Sequence, residues 1–178
     1  MEEPRAKGVS LWLMPEGKAR EKLAALIDRL AAGLGTAGFA PHVTLLSGLP
    51  GPEAEVLDRA RVLAGQLHPL SLAFSGMDGT GAHFRCLFLR VATSPALLQA
   101  HARAARYFGR EPEASFDPHL SLAYGTLDAA RKDDLKRELP PLTPTSIEAR
   151  RLHVWRTEGL VREWRELAAV ELGAGSEV

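Results

Sequence analysis

The chain has a single cysteine, Cys86, among 178 residues. It can therefore form no intramolecular disulfide and no cysteine-based metal cluster. Net charge is also absent, because 22 Lys and Arg residues balance 22 Asp and Glu residues. Proteins that bind long nucleic acid without regard to sequence need a basic face. The charge balance argues against that class and leaves room only for a local pocket that binds one or two phosphates.

Long apolar runs are missing too, and the chain begins with the acidic stretch Met1-Glu2-Glu3. This start predicts neither a signal peptide nor a membrane span, so we expect a cytoplasmic protein in a reduced compartment. The hydrophobic fraction of 46% and the charged fraction of 25% are ordinary for a globular protein. We expect one domain over residues 1–178, a frayed tail at 173–178, and a monomer.

Nearly the same octapeptide occurs twice. Residues 41–48 read Pro-His-Val-Thr-Leu-Leu-Ser-Gly, and residues 118–125 read Pro-His-Leu-Ser-Leu-Ala-Tyr-Gly. Residues two apart on a strand share a face, so His42 points the same way as Thr44, and His119 the same way as Ser121. The residues between them are apolar and are predicted to enter the core. If a pseudo-twofold axis relates two lobes, the polar faces meet in one groove.

Apolar spacing and turn residues predict the other elements. We predict helices at 16–34, 56–67, 94–108 and 127–139, and strands at 9–14, 41–46, 70–74, 84–91, from 118 onwards, 147–157 and 161–172. The last two strands are interpreted as a closing hairpin. The order predicts an α+β fold of two similar lobes, with the motif strands side by side at the centre.

The two motifs carry groups that suit phosphodiester hydrolysis. One histidine can take a proton from water and the other can protonate the leaving oxygen, while the hydroxyls of Thr44 and Ser121 donate to the non-bridging oxygens. A single copy is typical of a structural histidine at a strand start. Core packing, however, gives no reason to repeat both histidines and both hydroxyls. The scheme needs no metal, and two histidines without an evident third ligand make a poor zinc site.

Aromatic residues on predicted strands are candidates for stacking on a base or ribose: Trp12, Phe84, Tyr124 and Trp155. Core packing is the competing interpretation for each of them. Cys86 is predicted to be a buried strand residue rather than a nucleophile. Of the other histidines, His101 is expected at the surface or at a helix seam, and His153 away from the groove.

The doubled Pro-His-x-Thr/Ser-Leu motif resembles the two signature motifs of the 2H phosphoesterase superfamily. More narrowly, residues 10–15, 39–45, 84–89 and 118–125 resemble the cyclic phosphodiesterase family known from plants and yeast. The resemblance extends over about the whole chain. It implies a bilobal fold in which antiparallel sheets line a central groove and helices lie outside.

The resemblance further implies metal-independent opening of a small nucleotide cyclic phosphate, with no cofactor. Substrates in such families include ADP-ribose 1″,2″-cyclic phosphate and nucleoside 2′,3′-cyclic phosphates. By motif position, His42 and His119 would be the acid–base pair, in an order that the sequence leaves open, and Thr44 and Ser121 would bind phosphate. Flanking positions around the substrate would fall to Tyr124, Phe84 and Trp12.

Two alternatives stay open. The first is an enzyme of the same superfamily that acts on 2′,3′-cyclic phosphates at RNA ends, although the zero net charge argues against it. The second is a non-catalytic nucleotide-binding module. The four intact polar residues of the motifs favour an enzyme over that second alternative.

Overall fold

The computed structural model describes residues 3–173. Within them lie the helices α1 (Gly17–Leu34), α2 (Glu53–Gln66), α3 (Pro95–Tyr107) and α4 (Ala129–Glu138). The strands are β1 (Val9–Leu13), β2 (Val43–Leu49), β3 (Leu70–Asp78), β4 (Leu87–Val91), β5 (His119–Ala123), β6 (Ser146–Ala149), β7 (Arg151–Arg156) and β8 (Arg165–Glu171). Short 3₁₀ turns occur at His83–Arg85, Pro140–Leu142 and Val161–Glu163.

The strands form one antiparallel sheet in the order β6-β3-β4-β5-β2-β1-β7-β8. The motif strands β2 and β5 are neighbours at its centre, with three further strands on either side of the pair. The two lobes are therefore β2-β1-β7-β8 and β5-β4-β3-β6. The predicted α+β class and the central position of the motif strands are confirmed.

The two motif strands pair at one point only, where Val43 lies opposite Leu120. The antiparallel register next to this pair places His42 across from Ser121, and Thr44 across from His119. Each histidine is thus beside the hydroxyl of the other motif. Away from this point the strands separate, which opens a groove between the lobes.

On the apolar side of the sheet, α1 and α3 each pack against the motif strand of the other lobe. Helix α1, which connects β1 to β2, packs against β5, and α3, which connects β4 to β5, packs against β2. The apolar residues of both motifs face this layer and are at most 1% exposed: Val43, Leu45, Leu120 and Leu122. Burial of such side chains contributes about 1.5–3 kcal/mol each, so the motif strands are anchored from behind by helices of the opposite lobe.

The predicted strand 147–157 is wrong, because the chain breaks there into β6 and β7. Only Arg150 separates these strands, although β6 ends one flank of the sheet and β7 lies in the other. Consecutive Cα atoms are about 3.8 Å apart, so Ala149 and Arg151 are within about 8 Å of each other. The sheet must therefore curve until its flanks approach.

Two further boundaries differ from the prediction and matter for the site. Residues 84–86 are not part of β4, since Phe84 lies in the 3₁₀ turn His83–Arg85. The carbonyl groups of this turn accept hydrogen bonds from residues outside β4. The backbone N–H of Thr80 donates to the Arg85 carbonyl, and the backbone N–H of Gly125 donates to the His83 carbonyl. Strand β8 likewise begins after the turn Val161–Glu163 and not at residue 161.

His101 is buried between α3 and β2, so of its two predicted positions, the surface or a helix seam, the surface is wrong. Its Nδ1 donates to the Leu45 carbonyl at 2.9 Å, and its Nε2 accepts from the Glu113 N–H at 3.2 Å. It therefore ties the segment before β5 to β2.

Of the tail, the Gly173 N–H donates to the Ala64 carbonyl at 3.0 Å, and residues 174–178 lie outside the described residues. Within residues 3–173, no helix combines the length and apolarity that a bilayer crossing requires.

Candidate active site

The groove between the lobes contains a cavity of about 470 Å³. The four polar motif residues all line it: His42, Thr44, His119 and Ser121. His42 immediately precedes β2, and His119 is the first residue of β5. The arrangement follows from the single pairing point between these strands, because both polar faces turn towards the same opening.

Backbone carbonyls orient both imidazoles in the same way. Nδ1 of His42 lies 2.7 Å from the Ala40 carbonyl oxygen, and Nδ1 of His119 lies 2.9 Å from the Asp117 carbonyl oxygen. A carbonyl can only accept, so Nδ1 carries the hydrogen in each ring. In the neutral ring Nε2 then holds the lone pair, and it has no hydrogen-bond partner among the described residues. Each Nε2 is available to take or return a proton.

His42 is the more buried of the two histidines, with 6% of its surface exposed. Burial lowers its pKa from 6.5 to about 4, the hydrogen bond to Ala40 opposes this shift, and the nearby His119 adds to it. The imidazole stacks on the Trp12 indole at 3.5 Å between ring centres and 8° between planes. The stack fixes the plane of the ring while the Ala40 hydrogen bond fixes its rotation.

His119 is held by a different environment. Burial lowers its pKa, the Asp117 carbonyl opposes that shift, and the positive charge of Arg85 adds to it. The Asp117 carboxylate accepts a 2.6 Å hydrogen bond from Arg85 and lies 3.5 Å from Arg90. These cations lower the pKa of Asp117. The ion pairs fix the residue whose carbonyl sets the His119 tautomer.

The two hydroxyls are in unequal states. The Ser121 hydroxyl donates to the Phe84 carbonyl at 3.1 Å, and a hydrogen bond with Ser121 partly offsets the rise that burial causes in the pKa of Tyr124. The Thr44 hydroxyl has no partner among residues 3–173. Thr44 can thus donate to a ligand at once, whereas Ser121 has to rotate away from Phe84.

The four aromatic candidates have separate positions. Trp12 is 2% exposed and is covered on its two faces by His42 and by Trp155, whose ring centre is 4.6 Å away. Trp155 itself does not line the cavity. Tyr124 is 4% exposed and stacks on Phe39 at 3.8 Å. Phe84 lines the cavity and is half-buried.

Arg85 and Trp164 are among the lining residues that were not identified from the sequence. Arg85 places its guanidinium 4.7 Å from the Phe88 ring centre, which holds it beside His119. Trp164, after the turn Val161–Glu163, has its ring 5.9–6.0 Å from those of Trp12, Phe84 and Tyr124. No local motif marks Trp164, since its position depends on how the last strands fold back across the groove.

Other reactive side chains lie outside this cavity. His153 is buried and bonds to Glu166 at 2.5 Å, and it is absent from the lining, as predicted. Cys86 is buried, and burial raises the pKa of its thiol, which agrees with an inert residue. Among residues 3–173, no three His, Cys, Asp or Glu side chains form a group suited to a metal ion.

A family model described as the 2′-5′ RNA ligase superfamily matches residues 19–160, which include both motifs. The chain belongs to this superfamily. Its predicted membership of the 2H phosphoesterases is confirmed by that match. Across 179 aligned residues, the chain is also 22% identical to the cyclic phosphodiesterase of Arabidopsis thaliana, covering 97% of this chain and 99% of the plant protein.

Solved structures with this fold include LigT of E. coli. The complex of LigT with ATP aligns with a TM-score of 0.60 and 16% identity, over 97% of this chain and 99% of that one. The complex with 3′-AMP aligns with a TM-score of 0.57 and 15% identity, over 96% and 99%. At this identity the likeness establishes the fold, and the predicted bilobal 2H phosphoesterase-like architecture is confirmed. Together with the family match, the plant relative supports a phosphoesterase function for this 2H protein.

Proposed function

We propose that this protein is a metal-independent cyclic phosphodiesterase. It hydrolyses the strained five-membered cyclic phosphate of a nucleotide, either ADP-ribose 1″,2″-cyclic phosphate or a nucleoside 2′,3′-cyclic phosphate. The observation that carries the proposal is the matched orientation of His42 and His119. Both rings donate from Nδ1 to a carbonyl two residues earlier in the chain, and both line one cavity.

The reaction needs one proton to be taken and one to be given. One Nε2 accepts a proton from water as the water oxygen bonds to phosphorus, and the other histidine, protonated at Nε2, gives its proton to the ribose oxygen as its bond to phosphorus breaks. The products are a phosphomonoester and a free ribose hydroxyl. The low pKa of His42 keeps it neutral near pH 7 in the empty site, and a bound anionic phosphate raises the pKa of a nearby imidazole.

Hydrogen-bond donors are needed to stabilise the negative charge that builds on the non-bridging phosphate oxygens in the transition state. Thr44 and Ser121 supply them from opposite strands, each across from the histidine of the other motif in the register set by Val43 and Leu120. The Arg85 guanidinium lies next to His119 in the same cavity, where it is paired with the Asp117 carboxylate. Structures of LigT with ATP and with 3′-AMP support a small nucleotide as the ligand.

The test is turnover of a panel of cyclic phosphates, followed by phosphorus NMR with and without a chelator. His42→Asn and His119→Asn remove Nε2 but keep an amide that can donate to the same carbonyl. Each should lower kcat about 10²–10⁴-fold, while the control His68→Asn, at an exposed residue, should not. Near-normal turnover in either active-site variant contradicts the two-histidine scheme.

The same panel separates the alternatives. A strong preference for an oligonucleotide that ends in a 2′,3′-cyclic phosphate would make this an RNA-end enzyme. Tight binding of nucleoside 2′-monophosphates without hydrolysis at any pH would make it a binding module. Loss of activity with chelator, restored by one added metal ion, would contradict metal independence.

A further inference from the structure

The aromatic rings around the cavity are not equally available to a ligand. Trp12 is covered on both faces by His42 and Trp155. Tyr124 is buried and stacks on Phe39. Phe84 and Trp164 line the cavity and are half-buried, so parts of their rings remain exposed. A planar base that enters this side of the cavity therefore meets these two rings.

These two rings lie close together in the lining of the cavity. Their centres are 6.0 Å apart and their planes are inclined by 33°, so a planar base can stack on the exposed part of either ring. In addition, the Trp164 indole Nε1 is buried and without a hydrogen-bond partner among residues 3–173, so an acceptor is still missing from its surroundings.

Trp164 is also held in place before any ligand arrives. Its backbone N–H donates to the Val161 carbonyl at 3.1 Å. The turn that precedes it is closed by the Glu163 carboxylate, which accepts from the Leu160 N–H at 2.6 Å. A preorganised ring loses little entropy when a ligand stacks on it.

The backbone of Phe84 is in direct contact with the proposed phosphate site. The Phe84 carbonyl accepts from the Ser121 hydroxyl at 3.1 Å, so the residue that carries one of the two rings adjoins a proposed phosphate-binding residue. A nucleoside 2′,3′-cyclic phosphate carries its base and its cyclic phosphate on one ribose, so both groups would bind in neighbouring parts of this site. In ADP-ribose 1″,2″-cyclic phosphate the reacting ribose bears no base, and a pyrophosphate separates it from the adenine.

The charges of the cavity point the same way. Its cationic lining residues, Lys7 and Arg85, are balanced by Glu113 and Asp117, and Arg85 is already paired with Asp117. A pyrophosphate would add two negative charges that this lining has no surplus of cations to match. A nucleoside cyclic phosphate brings only one.

We infer that Trp164 and Phe84 form the nucleobase-binding site, and that the preferred substrates are nucleoside 2′,3′-cyclic phosphates rather than ADP-ribose 1″,2″-cyclic phosphate. The inference rests on the proposed function for the cyclic phosphate end of the substrate. Phe116 is the competing platform, because it also lines the cavity and has one face stacked on His101 at 3.8 Å. Among residues 3–173, the aromatic ring in contact with Phe116 is that of His101, so Phe116 offers one ring surface where Trp164 and Phe84 together offer two.

The experiment compares Trp164→Leu, Trp164→Phe and Phe116→Leu on three substrates: a nucleoside 2′,3′-cyclic phosphate, base-free glycerol 1,2-cyclic phosphate, and ADP-ribose 1″,2″-cyclic phosphate. Trp164→Leu should raise KM for the nucleoside substrate roughly 5- to 150-fold, as expected for the loss of one stacked base, with kcat little changed. Its constants for glycerol 1,2-cyclic phosphate should stay within about twofold of wild type, and Trp164→Phe should recover most of the loss. Wild type should prefer the nucleoside substrate.

Four results would overturn the inference. If Trp164→Leu loses as much activity on the base-free substrate as on the nucleoside substrate, Trp164 has a structural role. If Phe116→Leu alone loses activity selectively on the nucleoside substrate, the base binds at Phe116 instead. A preference for ADP-ribose 1″,2″-cyclic phosphate would reject the substrate assignment. Calorimetric binding of a nucleoside 2′-monophosphate keeps the subsite testable without turnover: Trp164→Leu should raise its Kd by the same factor, and an unchanged Kd refutes the subsite. Failure of wild type to hydrolyse any substrate would instead refute the proposed function.

Discussion

Burial of His42 should make the free energy of unfolding depend on pH in a way that one substitution removes. The pKa of this imidazole is lowered from 6.5 to about 4, whereas in the unfolded chain it returns to its ordinary value. Between these values the unfolded chain binds more protons than the folded one. Stability therefore rises with pH across this window, and the contribution of His42 is lost as the pH falls from above about 6.5 towards about 4.

The size of the effect follows from the shift. A change of 6.5 to about 4 corresponds to about 3.4 kcal/mol, at about 1.36 kcal/mol per pH unit. More than half of this effect falls between about pH 7 and about pH 5, where the contribution of His42 to the free energy of unfolding decreases by about 2 kcal/mol. The side chain is almost fully buried, so solvent screening reduces this figure little.

Urea unfolding of wild type and His42→Asn at the two pH values measures the effect. Carboxylates and the other histidines titrate in both proteins, so the difference between the two curves isolates His42. We expect the stability advantage of wild type over the variant to shrink by about 2 kcal/mol from about pH 7 to about pH 5. The exposed His68→Asn serves as the control substitution. A wild-type advantage that stays constant with pH would refute the argument from burial.

Two other predictions concern a hydroxyl and a glycine. Thr44→Val keeps the size of the side chain but removes a hydrogen-bond donor that has no other partner among the described residues. We expect kcat to fall about 10²–10³-fold with little change in stability. An unchanged kcat in steady-state assays would contradict the proposed role of Thr44. Gly79→Ala would bring Cβ into the backbone carbonyl oxygen of Cys86, whereas Gly81→Ala meets nothing within 4 Å. Thermal unfolding should show Gly79→Ala less stable by about 1–3 kcal/mol and Gly81→Ala close to wild type; equal melting temperatures would disprove the contact.

The repeat and strand parity were enough to predict the centre of the molecule. Strand alternation alone placed His42 and Thr44 on the opposite face from the apolar residues Val43 and Leu45. The second copy of the motif indicated which strand lies next to β2. This worked because side-chain direction on a strand is a local property with a period of two. The pairing of β2 with β5 then turned that local property into a shared cavity.

Other features depend on contacts between distant parts of the chain. Trp12 was predicted to flank the substrate, and only the fold reveals that His42 and Trp155 cover its faces. Trp164 reaches the cavity through a turn that interrupts a predicted strand. By contrast, the break at Arg150 left a readable signal, because the apolar residues change from odd positions (Ile147 and Ala149) to even positions (Leu152 and Val154).

The one-residue connection at Arg150 has a consequence for motion. Because β6 and β7 belong to opposite lobes and are joined through a single residue, the lobes have no slack with which to swing apart as hinged domains do. The crossing of α1 and α3 restrains them further. We therefore expect a preformed groove, in which binding of the proposed substrate does not wait for a closing step of the kind that limits many lidded enzymes. For the proposed activity, selectivity between cyclic phosphates would then depend on the shape of the empty groove.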